Sequence, residues 1–233
     1  MNSTYAIGID LGTTNSVLAY RNLEQEGAPV ECLAVPQLVD NATVESRTAL
    51  PSFIYLGTED EAKSGSMDLP GTKKSDCAVG EWARRRSAEV PGRTVATAKS
   101  WLCHSRVDRS EAILPWNSPE DVTKLSPIDA SRRYLDHLVS AWNQAFPDAP
   151  FAEQQVVLTV PASFDASARD LTRSAALSAG FPEHYIMLEE PQAAVYSWLS
   201  EIGENWRKHL EKDDTLLVCD VGGGTTDFTL VRV

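Results

Sequence analysis

The sequence predicts an α/β protein, a mixed β-sheet flanked by helices, and three patterns in its 233 residues predict it. A strand–turn–strand unit opens the chain. A strand–helix–strand–helix series fills the second half. A second strand–turn–strand unit, written on the plan of the first, closes it. Short apolar runs that switch between strand and helix periodicity are what a layered α/β structure requires.

Residues 5–9 are a short, largely apolar strand, residues 10–15 a turn, and residues 16–20 a returning strand, together a β-hairpin. Residues 21–50 mix short apolar runs with polar turns, and residues 51–57 form another strand. Residues 58–76 are rich in Gly, Ser, Lys and Asp and are expected to be a mobile loop. Residues 79–89 read as a helix with Arg84, Arg85 and Arg86 on a solvated face between Glu81 and Glu89. Residues 94–102 read as a short helix around Lys99, and residues 105–125, with Pro115 and Pro119, as a loop.

Ser126-Pro127-Ile128-Asp129 is a helix start, with a Ser cap, Pro at the first position and an acid at the third. Ile128, Leu135, Leu138, Val139, Trp142 and Phe146 then recur at helical spacing up to Pro147. Residues 155–160 are a buried strand closed by Pro161. Asp165 caps a helix with Ala168, Leu171, Ala175 and Ala179 inward, ended by Gly180. Residues 185–188 are a strand, and Pro191 opens a further helix. A charged stretch, 201–214, leads to the closing unit: a strand over 216–219, a turn over 220–226 and a strand over 227–233.

The formal net charge is −12, which excludes a basic nucleic-acid footprint and disfavours an anionic membrane surface. Neither a leader peptide nor a membrane span is expected. Cys32, Cys77, Cys103 and Cys219 form no CxxC pair, so reduced thiols in a cytoplasmic protein are expected.

The two hairpin tips carry the chemistry. Asp10-Leu11-Gly12-Thr13-Thr14-Asn15 and Asp220-Val221-Gly222-Gly223-Gly224-Thr225-Thr226 each place an Asp before a Gly- and Thr-rich tip. Glycine lets backbone amides approach a phosphate chain, threonine hydroxyls add donors, and Asp beside phosphate requires a bridging cation, for which magnesium is suited. Three consecutive glycines carry an entropic cost that close backbone approach explains. No Gly-Lys-Ser/Thr is present, so this is not a P-loop.

Residues 5–16 resemble the first phosphate motif of the DnaK-type chaperones of the heat-shock protein 70 family. Residues 157–164 resemble the family's connecting strand, Glu189-Glu190-Pro191-Gln192-Ala193-Ala194 its Asn-Glu-Pro-x-Ala-Ala segment, and residues 220–227 its second phosphate motif. The resemblance implies an actin-like, ribonuclease H-like ATPase lobe, with ATP or ADP and Mg2+ as cofactors and, in a parent protein, unfolded clients and co-chaperones as partners. It implies that Gly12, Thr13, Thr14 and Asn15 hold the phosphates from one side, and Gly222, Gly223, Gly224 and Thr225 from the other. Asp10 and Asp220 would order magnesium, mainly through water. Lys99 would be the catalytic lysine, Glu190 the acid that positions water or metal, and Pro161 and Arg169 the nucleotide-state switch. Ser163 in place of an aromatic residue and Glu189 in place of Asn mark a divergent branch.

The same resemblance divides the chain. Residues 1–40 and 123–205 would form the first-lobe core, 41–122 an inserted smaller subdomain, and 206–233 the start of a second lobe. The family's domain continues beyond the second phosphate motif, so the chain is expected to be a fragment that binds ATP weakly and hydrolyses little of it. The alternatives are an actin-like cytoskeletal subunit and a non-catalytic interaction module.

Overall fold

A computed structural model describes residues 3–71, 74–104 and 106–233. The opening hairpin is β1 (Tyr5–Leu11) and β2 (Asn15–Asn22), antiparallel, with Tyr5 opposite Asn22 and Leu11 opposite Ser16. The sequence reading puts Asp10 and Asn15 in the turn, but both lie in strands. The ladder runs on to Leu11, and Asn15 is held opposite Pro51, so the turn shrinks to residues 12–14.

Residues 21–50 resolve into β3 (Glu31–Cys32), β4 (Val35–Asp40), β5 (Thr43–Arg47) and the first residue of β6 (Leu50–Pro51). The strand expected over 51–57 is divided, with Pro51 closing β6 and β7 (Phe53–Leu56) beginning two residues later. The loop expected at 58–76 contains a helix, α1 (Glu59–Ser64). A reciprocal capping box forms it: the Glu61 amide donates to the Thr58 hydroxyl while the Thr58 amide donates to the Glu61 carboxylate. Met67 in the same stretch is buried beside Tyr55 and Trp82; residues 72 and 73 lie outside the described residues.

β8 (Cys77–Val79) takes Val79 from the expected helix, which is α2 (Glu81–Glu89). Glu81 is buried and held by Arg84 and Arg85, while Arg86 stacks on the Tyr55 ring and donates to its hydroxyl, so that face is only partly solvated. The segment expected to be helical from 94 begins instead as β9 (Thr94–Ala96), which pairs with β7, followed by α3 (Ala98–Trp101). Residues 106–125 form a loop fastened by a Leu114–Leu125 bridge.

The second half follows its sequence signals closely, except that the turn expected over 220–226 shrinks to 222–225, because Asp220 and Val221 pair with Asp227 and Thr226 in the strand ladder. It comprises α4 (Pro127–Ala145), β10 (Gln155–Val160), α5 (Ala166–Ser178), β11 (Ile186–Glu189), α6 (Glu190–Ile202), a 3-10 segment over Gly203–Lys208, and the hairpin β12 (Thr215–Val221) with β13 (Thr226–Arg232). Ser126 caps α4 by accepting from the Asp129 amide, and Asp165 caps α5 by accepting from the Ala168 amide. A bidentate Arg109 also grips Asp165, and these bonds hold its carboxyl down at about 2.

The principal sheet has the order β11-β10-β1-β2-β3, with β6 also on β2. β10 runs parallel to both β1 and β11, whereas β2 is antiparallel to β1, so the sheet is mixed. Alternation along β1 and β10 sends Ile7, Ile9, Leu11, Val156 and Leu158 into a core roofed by α4 and α5. Ala6, Gly8, Asp10 and Thr159 therefore belong to the opposite face. The core continues into the β8-β7-β9 sheet through Leu50, Ile54, Val79 and Val95.

Trp142 on α4 is fully buried, stacked on Phe146 at 4.3 Å and meeting Tyr5 and Tyr20 edge-on at 5.3 and 5.4 Å. It thereby welds the longest helix to the opening hairpin. Trp142→Ala should destabilise the chain by about 3–5 kcal/mol. Urea unfolding measures this, and a loss below about 1 kcal/mol would mean that the aromatic cluster is not a keystone.

Candidate functional site

Asp10 is the last residue of β1 on the face away from α4 and α5, and the sheet register sets Thr159 directly beside it. The Thr159 hydroxyl donates to the Asp10 carboxylate at 2.9 Å, which fixes the carboxylate's rotamer. Glu190, the first residue of α6, follows β11 without an intervening loop, so its carboxylate sits at a helix N-terminus at the carboxyl end of the parallel strands. Lys99, the second residue of α3, reaches it with Nζ 2.5 Å from Glu190 Oε1.

That ion pair is mostly withdrawn from water, with side-chain exposures of 11% for Lys99 and 16% for Glu190. Burial pushes the Glu190 carboxyl up from its usual range and outweighs the downward pull of Lys99. Asp10 and Asp220 push it further in the same direction, so both acids stand near enough to be felt. Four of the residues singled out in the sequence thus form one electrostatic group: Lys99, Glu190, Asp10 and Asp220.

The tips meet above this group. The second tip is closed by a bond from the Gly222 amide to the Thr225 carbonyl at 2.9 Å. A Cβ at Gly223 would overlap the Thr14 side chain, and one at Gly224 would lie 2.9 Å from Thr13 Cγ2. A side chain at either position would have to displace Thr13 or Thr14, so glycine suits the close approach of the two tips. Asn15 and Thr225 are exposed at the edges of the tips.

Pro161 lines a cleft of about 160 Å3 together with Ser163, Glu190, Asp220 and Phe228. Arg169 does not enter it. Its guanidinium is 2.6 Å from Glu189 and also donates to the Phe164 carbonyl, which ties α5 to the residue immediately before Glu190. Sequence reasoning missed Thr159 and also Ser52, whose hydroxyl donates to the Gly12 carbonyl from 40 positions away. Thr159 stands two residues before Pro161, but only the β1–β10 register reveals what it touches.

The donor set fits magnesium shared with phosphate. Among the described residues no three His, Cys, Asp or Glu side chains converge to hold a metal on their own. Two hard carboxylates beside Gly- and Thr-rich tips suit a cation that takes its remaining ligands from water and a phosphate chain.

A mixed-sheet α/β domain with two apposed Gly- and Thr-rich hairpin tips over a half-buried Lys–Glu pair is the class of protein defined here. The family model described as Hsp70 protein matches residues 71–233. A chaperone protein dnaK of Emiliania huxleyi is 29% identical over 97% of this chain and 32% of its own length. A chaperone protein HscA of an Enterobacter species and a DnaK of Deinococcus radiodurans are each 30% identical, over 98% of this chain and 32% of theirs. The chain belongs to the Hsp70 family, and it spans about a third of the length of these relatives.

Because the folded-state affinity of Glu190 for a proton is raised, stability falls as pH rises from 4.5 through its folded value. Lys99→Met removes the one downward influence and should steepen that fall. Denaturant midpoints at about pH 5 and about pH 8 test it. Equal pH slopes in the variant and the parent would show that the pair is not coupled.

Proposed function

We propose that this chain is the nucleotide-binding region of an Hsp70-family chaperone, in which ATP binding and hydrolysis drive protein folding or holding. The observation that carries the reading is the half-buried Lys99–Glu190 pair grouped with Asp10 and Asp220 beneath the two apposed tips. Family membership supports it and does not favour a cytoskeletal subunit or a non-catalytic module.

In this reading Gly12, Thr13, Thr14 and Asn15 donate to the phosphate chain from the first tip, and Gly222, Gly223, Gly224 and Thr225 from the second. Asp10, held by Thr159, and Asp220 orient a hydrated magnesium ion, which would neutralise the charge of the phosphates. Lys99 supplies the cation that stabilises charge on the transferred phosphoryl group. Glu190, kept basic by its surroundings and aimed by Lys99, orients a water for attack. Pro161 and Arg169 form the switch, with Arg169 sensing Glu190 through Glu189. Because Thr13 and Thr14 occupy the space between the tips, a phosphate enters by turning those side chains or by an outward swing of the β12–β13 hairpin.

The same reading makes the principal sheet with α4–α6 an actin-like, ribonuclease H-like lobe, over residues 1–40 and 123–205. It makes residues 41–122 the inserted subdomain and 206–233 the start of a second lobe. Unfolded clients, co-chaperones and a cytoplasmic location belong to the whole protein. The cleft of about 160 Å3 falls short of the roughly 300–1,000 Å3 of a typical ligand pocket. In this reading the chain by itself binds ATP weakly and turns it over slowly.

Thermal unfolding with magnesium and ATP tests the reading. Ligand at about ten times its Kd should stabilise the chain by about 1.4 kcal/mol, and Asp10→Asn and Thr225→Val should each reduce the shift. No shift at any ATP concentration overturns nucleotide binding, and rapid phosphate release overturns slow turnover. Among the described residues no helix is long and apolar enough to cross a membrane.

A further inference from the structure

We propose that Ser52 is a positioning residue for the first tip, a buried hydroxyl that sets the direction of the tip's peptide groups before any ligand arrives. The inference rests on the nucleotide-binding reading for its consequence, although not for its geometry.

Ser52 lies between β6 and β7 and is 2% exposed; Ser16, at the start of β2, is 0% exposed. The Ser52 hydroxyl is 2.7 Å from the Gly12 carbonyl oxygen and 3.0 Å from the Ser16 hydroxyl. A carbonyl only accepts, so the single proton of Ser52 goes to Gly12, and Ser16 must donate to Ser52. The Ser52 amide donates to the Thr14 carbonyl at 2.8 Å. The Ser52 carbonyl in turn accepts from the hydroxyl of Tyr134, a buried residue of α4, at 2.9 Å. One residue thus holds the tip on both sides of Thr13 and is itself fastened to the longest helix.

Peptide planarity turns this into a statement about donors. In a trans peptide the C=O and the next N–H point in opposite directions. With the Gly12 carbonyl tied back to Ser52, the Thr13 amide is directed away from the core. An anion nest needs its amides so aimed, and aiming them in advance removes an ordering cost from binding. Simple hairpin closure does not need such an arrangement. The second tip closes with the Gly222–Thr225 bond, its four residues are exposed, and among the described residues no buried hydroxyl donates to its carbonyls. The two tips are therefore unequal: the first is preset and the second adapts to it.

Two variants separate positioning from packing. Ser52→Ala removes the bond to Gly12. Ser16→Ala deletes an equally buried hydroxyl but leaves that bond in place. Amide hydrogen exchange over residues 10–20 should quicken about tenfold in Ser52→Ala and remain near the parent rate in Ser16→Ala, after correction for global stability. Affinity for magnesium with ADP should fall about tenfold in Ser52→Ala and less than twofold in Ser16→Ala. Equal exchange in the two variants overturns the proposal whether or not nucleotide binds. A parent chain that binds no ADP, with the exchange difference intact, overturns the nucleotide reading and leaves the clamp standing.

Discussion

Alternation along β1 governs what the other elements can do. The strand has a neighbour on each side, β2 antiparallel and β10 parallel, and its odd-numbered residues are packed under α4. A register slip of one residue would bring Asp10 into the core and turn Ile9 outward, so burial of Ile7, Ile9 and Leu11 fixes the carboxylate's face as firmly as it fixes the hydrophobic layer. Thr159 follows from the same pairing, because the parallel register of β1 with β10 sets it directly opposite Asp10. Placement of the acid beneath the tip is thus a by-product of core formation.

Charge at the site is organised by contrast between elements. Asp220 lies on an exposed hairpin and Asp10 at an exposed strand end, whereas Glu190 is shielded by the start of its helix and by Lys99. Two solvated acids stay available to a cation, while burial raises the proton affinity of the shielded one. The bond from Arg169 to Glu189 sets a second ion pair one residue away, so a shift of α5 and a change at Glu190 share a single short stretch of backbone.

Much of this was legible in the sequence wherever local chemistry decides structure. Ser126 and Asp165 announce α4 and α5 because a cap is a contact three residues long, and the repeated Asp-x-Gly pattern announces both tips. The capping box of Thr58 and Glu61 was equally local, but the Gly, Ser and Lys around it masked α1. β9 was misjudged because Thr94 and Val95 are strand residues by virtue of β7 beside them, a partner about 40 positions earlier. Ser52, Tyr134 and Thr159 carry no local signature; each matters through one hydrogen bond across the fold, which spacing along the chain does not encode.

The closing hairpin has a consequence for how the molecule behaves in solution. β12 and β13 pair with each other and, among the described residues, with no other strand, and they leave Leu217, Val221, Phe228 and Leu230 facing water. Such a ribbon has two open backbone edges and an oily side, which makes it a template onto which any extended segment can zip. Colloidal behaviour is then set by a contest between this adhesive ribbon and the repulsion of a chain carrying a net charge of −12, with added salt favouring the ribbon.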